Sequence, residues 1–208
     1  MSVIDHFSRP QIPALAGDGV TLRMPRRSDY TLWHDLRSDS REFLRPWEPM
    51  WTTDELSWAA YRQRVRRYNQ EAREGTGYTF FLFDEAGTTL YGGITVGHIR
   101  RGVAQCCTLG YWMGERYAGA GLMFRAVETI KMFVFDLEGL HRIEAACLPS
   151  NARSIRLLEK CGFTREGLLR SYLKIAGRWE DHCLYALTAE EWSCSKATER
   201  ARAAAPAA

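Results

Sequence analysis

Arg116-Tyr117-Ala118-Gly119-Ala120-Gly121-Leu122 stands between an apolar run that ends near Met113 and another that begins near Leu122. The first run has strand texture, and the second repeats its apolar residues at helical spacing. Small residues here let the backbone come close to an anion. The free N–H groups of a helix start add donors and the positive end of the helix dipole. The segment reads as a phosphate cradle, although two glycines in a loop also suit a plain tight turn. It lacks the Gly-Lys-Ser/Thr of a Walker loop, and the third glycine and following acid of a dinucleotide fingerprint.

Downstream, Asn151-Ala152-Arg153-Ser154-Ile155-Arg156-Leu157-Leu158-Glu159-Lys160-Cys161-Gly162-Phe163 predicts a helix over Ala152–Cys161. Ser150 or Asn151 caps it and Gly162 closes it. Asn151 and Ser154 are three apart and share one face, while Ile155 and Leu158 form an apolar stripe toward a sheet. An asparagine at a helix start is commonly a cap and no more. Two polar groups on one face can also converge on a neighbouring site.

Working outward, Val20–Met24 alternates as a strand, and Tyr30, Trp33 and Leu36 recur at helical spacing after Ser28. Phe43-Leu44-Arg45-Pro46-Trp47-Glu48-Pro49 breaks that helix and reads as a loop. Thr52 with Glu55 forms a capping box that predicts a second helix from about Asp54 to Arg73, ended by Gly75-Thr76-Gly77. Tyr78–Phe83, Thr89–Ile99 and Gln105–Met113 then form an antiparallel meander. Arg142–Leu148, Phe163–Tyr172 and Arg178–Leu187 supply three more strands, the last two around a turn at Ala176-Gly177. This order implies a mixed sheet covered on both faces. Residues 1–19 read as a leader, 20–192 as one domain and 193–208 as a flexible tail that frays.

The 208 residues suit one domain, and 46% hydrophobic with 25% charged residues is a globular composition. The net charge of +3 is too weak for a nucleic-acid footprint. Arg62, Arg64, Arg66, Arg67 and Arg73 spread around a helix and read as a solvated face. No apolar run is long enough to span a membrane, and the N-terminus lacks a secretory pattern, so a cytoplasmic protein is expected. Six cysteines without a Cys-x-x-Cys pair read as buried free thiols. Five scattered histidines lack metal-ligand spacing, and no metal is expected.

Together the strand–Gly-loop–helix and strand–Asn-helix–Gly-Phe units resemble the pyrophosphate and pantetheine sites of the GCN5-related N-acetyltransferases (GNAT). Within that superfamily the chain is similar to the RimJ/RimL-like branch of ribosomal-protein alanine N-acetyltransferases, and most to its RimJ members. The resemblance runs from about Val20 to Trp192. It is carried by Phe43 to Pro49, Leu109-Gly110-Tyr111-Trp112-Met113-Gly114, Gly119-Ala120-Gly121-Leu122-Met123-Phe124, His141-Arg142-Ile143, Asn151 to Phe163, and Gly177-Arg178-Trp179-Glu180-Asp181-His182. The Pro-Trp-Glu-Pro segment and the Trp-x-Asp-His ending narrow it to the branch.

The resemblance implies an α/β (α+β) GNAT fold, with a central mixed, largely antiparallel sheet of about seven strands and helices on both faces. It implies transfer of the acetyl group of acetyl-CoA to the N-terminal α-amine of a protein, a ribosomal protein above all, directly within a ternary complex. By the same carry-over the strand end Tyr111, Trp112 and Met113 faces the thioester and pantetheine. Tyr117, Ala118, Gly119, Ala120, Gly121, Leu122 and Met123 hold the pyrophosphate, Asn151 binds the pantetheine arm, and Ser154 meets the sulfur. Many relatives carry a Tyr acid seven residues after this Asn, whereas this chain has Leu158. Glu48 is the candidate base, since a stiff Pro46–Pro49 loop flanked by Trp47, Met50 and Trp51 suggests an apolar setting that raises a carboxyl pKa. Asp181 and His182 are its rivals, with Asp181 expected to pair with an arginine. Trp47 and Trp51 could wall the acceptor channel. Acetylation of a polyamine or amino-sugar antibiotic, and a non-catalytic acyl-CoA- or ribosome-binding module, remain open. Neither membrane nor direct nucleic-acid binding is expected, and the chain is read as a monomer or homodimer.

Overall fold

The computed structural model describes residues 12–204, with side chains through Ala197. Residues 1–11 of the expected leader and 205–208 of the expected tail lie outside the described residues. In chain order the elements are β1 (Leu15–Gly17), β2 (Val20–Arg23), α1 (Tyr30–Asp39), α2 (Arg41–Leu44), α3 (Trp58–Glu74), β3 (Tyr78–Phe83), β4 (Leu90–Arg100), β5 (Cys106–Met113), α4 (Leu122–Met132), β6 (Arg142–Cys147), α5 (Ala152–Lys160), β7 (Thr164–Ile175), β8 (Arg178–Thr188) and α6 (Ala189–Ala204).

All eight strands join one sheet in the order β1-β2-β3-β4-β5-β6-β8-β7. Neighbours are antiparallel except β5 and β6, which run parallel and are joined by the α4 crossover. The count is eight rather than about seven. The extra strand is β1, whose hairpin with β2 turns through Gly19 at φ 68°, a conformation a Cβ would disfavour.

The alternation of β3 explains why it is apolar but for Thr79. Tyr78, Phe80 and Leu82 enter a core shared with α4 and α5, while Phe81 and Phe83 enter a second core with Trp33, Leu36, Tyr61 and Val65 of α1 and α3. A strand packed on both faces admits a polar residue only where it finds a partner, as Thr79 does in Thr95 at 3.1 Å. Each phenylalanine so buried contributes roughly 1.5–3 kcal/mol.

Two local expectations are corrected. Helix α3 begins at Trp58 rather than near Asp54, because Ser57 is its cap: Ser57 Oγ accepts from the Ala60 amide at 3.2 Å. Thr52 donates instead to the Asp54 carboxylate at 2.8 Å, and Glu55 is engaged by Arg64, so the Thr52–Glu55 pair is not free to cap. The Phe43–Pro49 segment is also more ordered than a loop. It contains the end of α2 and a 3-10 turn over Arg45–Trp47, whose start Pro46 suits with its fixed φ.

Five cysteines are buried and free, while Cys194 is exposed. Residues 193–204, expected to fray, continue helix α6, which buries Trp192 beside Phe135 at 6.2 Å between ring centroids.

Candidate active site

The parallel pair β5–β6 comes apart partway along. Its register holds only from Cys106↔Arg142 to Thr108↔Glu144. Beyond that, β5 keeps β4 alone, through Met113↔Gly92, and β6 keeps β8 alone, through Cys147↔Cys183. A wedge therefore opens in mid-sheet, with the backbone edge of Leu109–Met113 as one wall. Close backbone approach holds that wall in place. A Cβ on Gly92 would stand 2.3 Å from the Trp112 carbonyl oxygen, and one on Gly93 2.5 Å from Trp112 Nε1.

The wedge leads to the glycine loop. Tyr117 and Ala118 spend their amides on the carbonyls of Gly114 and Glu115, and the Tyr117 ring packs on Tyr91, 4.8 Å between centroids. The amides of Gly119, Ala120, Gly121 and Leu122 have no protein acceptor among the described residues. Gly119 and Gly121 are left-handed, at φ 84° and 77°, and a Cβ on either would meet nothing within 4 Å. Helix α4 starts here with no side-chain cap. Open space, unpaired amides and the positive helix end are what a pyrophosphate needs, so these residues fit the diphosphate of acetyl-CoA. The donors narrow to the part of the Tyr117–Met123 stretch from Gly119 onward; Met123 itself turns its side chain into the core.

The opposite wall is α5. Asn151 caps it, its Oδ1 accepting from the Ser154 amide at 3.1 Å. Ser154 is buried, and its Oγ lies 2.6 Å from Tyr111 Oη, so one hydrogen bond crosses from β5 to α5. Burial pushes the Tyr111 phenol well above its ordinary pKa. It also raises the thiols of Cys147 to about 11 and of Cys107 and Cys161 to about 12, so these three are protonated at neutral pH and are poor nucleophiles.

Glu48 is in a different environment from the apolar slot that its neighbours suggest. Arg37 of α1 donates through Nη1 to Oε1 at 3.1 Å and through Nη2 to Oε2 at 2.5 Å, and Trp51 Nε1 donates to Oε2 at 2.8 Å. The guanidinium lies between the rings of Trp51 and Trp112, 4.6 and 4.9 Å from their centroids. Arg37 is the residue that sequence reasoning missed. It sits eleven positions before Glu48 on a helix face that reads as ordinary, and only its burial marks it.

The same loop meets the β7–β8 turn, where the Ala176 amide donates to the Glu48 carbonyl at 2.9 Å. Ala176 and Gly177 both have positive φ, 46° and 86°. Between these segments lies a cleft of about 450 Å³ lined by Arg41, Glu42, Arg45, Pro49, Met50, Trp51 and Ala176. Trp51 walls this cleft, whereas Trp47 is not among the lining residues.

The rivals of Glu48 separate. Asp181 pairs with no arginine among the described residues: its Oδ1 accepts from the Ser171 amide at 2.8 Å and holds an irregular stretch of β7 in which Ser171 has φ 47°. His182 is buried, with Nδ1 3.0 Å from the Glu180 carbonyl and its ring against Tyr172. Since that carbonyl can only accept, Nδ1 donates to it.

Comparison with known proteins adds to this geometry. The family described as Acetyltransferase (GNAT) domain matches residues 20–164. Ribosomal protein uS5-alanine N-acetyltransferase of Escherichia coli (strain K12) is 33% identical over 179 residues, covering 86% of this chain and 92% of that protein. The crystal structure of the ribosomal-protein-S5-alanine acetyltransferase from Vibrio fischeri superposes with a TM-score of 0.80 at 28% identity, over 87% of this chain and 99% of that one. Mycobacterium smegmatis RimJ in complex with CoA-disulfide does so with a TM-score of 0.78 at 29% identity, over 88% and 93%. A sheet split beside an uncapped, glycine-led helix, in a chain with these relatives, has one family assignment: the chain belongs to the GNAT acetyltransferases.

Proposed function

We propose that this chain moves the acetyl group of acetyl-CoA to the α-amine of a protein N-terminus, that of a ribosomal protein in the cytoplasm, by direct transfer. The observation that carries the reading is the wedge: a free β5 edge between the unpaired amides at Gly119–Leu122 and the Tyr111–Ser154 pair, with a cleft beside Glu48 at Trp51 and Ala176. The E. coli relative that acts on uS5 supports the protein acceptor.

In this arrangement the loop amides hold the diphosphate and the β5 edge pairs with the pantetheine amides and offers an N–H to the thioester oxygen. Ser154 stands at the sulfur and Glu48 at the incoming amine. With its charge balanced by Arg37, Glu48 has one role left to it. It accepts an N–H of the amine through the lone pairs that Arg37 and Trp51 leave open, and it passes the proton to water. The protonated, buried thiols support direct transfer over an acetyl-cysteine. Arg41 and Arg45 against the single Glu42 make the cleft slightly basic, which weighs against a polyamine acceptor.

The test is mass spectrometry of cellular N-termini with and without the protein, followed by assay of the purified chain on N-terminal alanine peptides and on spermidine. Acetylated ribosomal N-termini that vanish without the protein are expected. Turnover of spermidine with none of the peptides would overturn the reading.

Glu48→Gln should lower kcat by about 10²–10⁴-fold, while acetyl-CoA affinity stays unchanged. A wild-type kcat would make Glu48 a clamp only. His182, buried beside Tyr172, would then be the next residue to test.

A further inference from the structure

We propose that the Tyr111 side chain is a positioning residue for the leaving group: its hydroxyl donates to Ser154 Oγ and so turns the serine's own proton toward the sulfur. This deepens the acetyl-transfer reading and rests on it. Relatives that place a tyrosine seven residues after the helix-capping asparagine carry their phenol on the same helix. Here that position is Leu158, fully buried in the core, so α5 offers no phenol of its own. The structure brings one from the other wall of the wedge, Tyr111 on β5, to within 2.6 Å of Ser154.

The direction of this hydrogen bond follows from counting donors and acceptors. Each hydroxyl has one proton and two lone pairs. Ser154 is the only hydrogen-bond partner of the Tyr111 hydroxyl among the described residues. If Ser154 were the donor, the phenol proton would be left buried with no acceptor, the costlier arrangement. Tyr111 therefore donates, and burial keeps its phenol protonated at any working pH. The Ser154 amide is fixed on Asn151 Oδ1, which sets where the side chain points. The Ser154 side chain hydrogen-bonds the Cys147 sulfur, which stays protonated and is only a weak acceptor. Among the described residues the Ser154 proton thus has only this weak acceptor, which a developing thiolate would outcompete.

The chemistry balances without a proton leaving Tyr111. The amine nitrogen forms its bond to the acetyl carbon, and the C–S bond breaks with its electron pair going to sulfur. The proton of the amine departs on the acceptor side. Ser154 O–H hydrogen-bonds the developing thiolate, which takes its proton from solvent after release. Tyr111 makes the serine a pre-aimed donor, so no rotor has to be ordered as charge builds on sulfur.

A double-mutant cycle over Ser154→Ala and Tyr111→Phe tests this, read as kcat and KM with a peptide acceptor and as acetyl-CoA affinity by calorimetry. Ser154→Ala should lose about tenfold in kcat. Tyr111→Phe should lose about three- to tenfold in kcat, the size of one hydrogen bond, with both KM values and acetyl-CoA affinity unchanged. The double variant should be no slower than Ser154→Ala alone. Ser154→Thr, which keeps the hydroxyl, should restore kcat in the presence of Tyr111 and not in Tyr111→Phe. Wild-type kcat in Tyr111→Phe, a change confined to KM, or losses that multiply in the double variant would each overturn the proposal. If Tyr111→Phe does not fold, a Ser154→Thr enzyme no faster than Ser154→Ala overturns it. A wild-type chain that binds acetyl-CoA but turns over no amine would overturn the functional reading and this role with it.

Discussion

Arg37→Ala should lower the melting temperature by about 6–20 °C. Removing one partner of a largely buried ion pair typically costs about 3–5 kcal/mol, and a domain of this size loses about 2–4 °C per kcal/mol. Both terms apply here because the Arg37 side chain is 8% exposed and that of Glu48 19%. The loss has two sources: Glu48 would keep its charge without its cation, and the Trp51 and Trp112 rings would lose the guanidinium between them. The double variant Arg37→Met/Glu48→Gln should regain most of that stability, since no charge is then stranded. Calorimetry of the three variants measures the coupling. An Arg37→Ala melting point equal to that of the wild type would mean that the pair is solvated and contributes nothing.

The second large effect is expected at the glycine loop. Gly119→Glu and Gly121→Glu should each reduce acetyl-CoA affinity by about 10²-fold or more, because a side chain forced to φ 84° or 77° carries roughly 1–3 kcal/mol of backbone strain and a carboxylate then repels the diphosphate. Neither side chain would clash with the protein, since the space above both glycines is open. The folded state should therefore survive, and the loss should appear in binding and not in circular dichroism. Full affinity in both variants, measured by calorimetry, would place the diphosphate elsewhere.

What the sequence disclosed and what it hid divide along the range of the interactions involved. The β3–β5 meander, the loop at Gly119–Gly121 and the Asn151 cap were legible because each depends on residues close in the chain: alternation, positive φ, a side chain reaching three positions on. Strand β1 was hidden because three residues carry too little alternation to register. The Thr52–Glu55 box misled because Glu55 is drawn to Arg64, nine residues away, and Ser57 became the cap. Glu48 reads from its neighbours as a carboxyl in an apolar setting beside tryptophans; Trp51 is there, but the environment depends on Arg37, which packing alone delivers. The Tyr111–Ser154 bond spans forty-three residues and no local pattern encodes it.

The single bond from the Ala176 amide to the Glu48 carbonyl has a consequence for how acceptor choice can change. The two sides of the cleft come from distant parts of the chain, one before the sheet's centre and one at its final hairpin, and neither belongs to the strands that form the wedge. On the proposed reading, the half that would receive the amine can thus be exchanged without rebuilding the half that would hold acetyl-CoA. The exchange has to be made as a matched pair, though. Grafting only residues 45–51 or only the 175–178 turn from a relative would keep that backbone bond but leave half of the cleft's lining unchanged, whereas grafting both should carry the donor's amine preference along with its cleft.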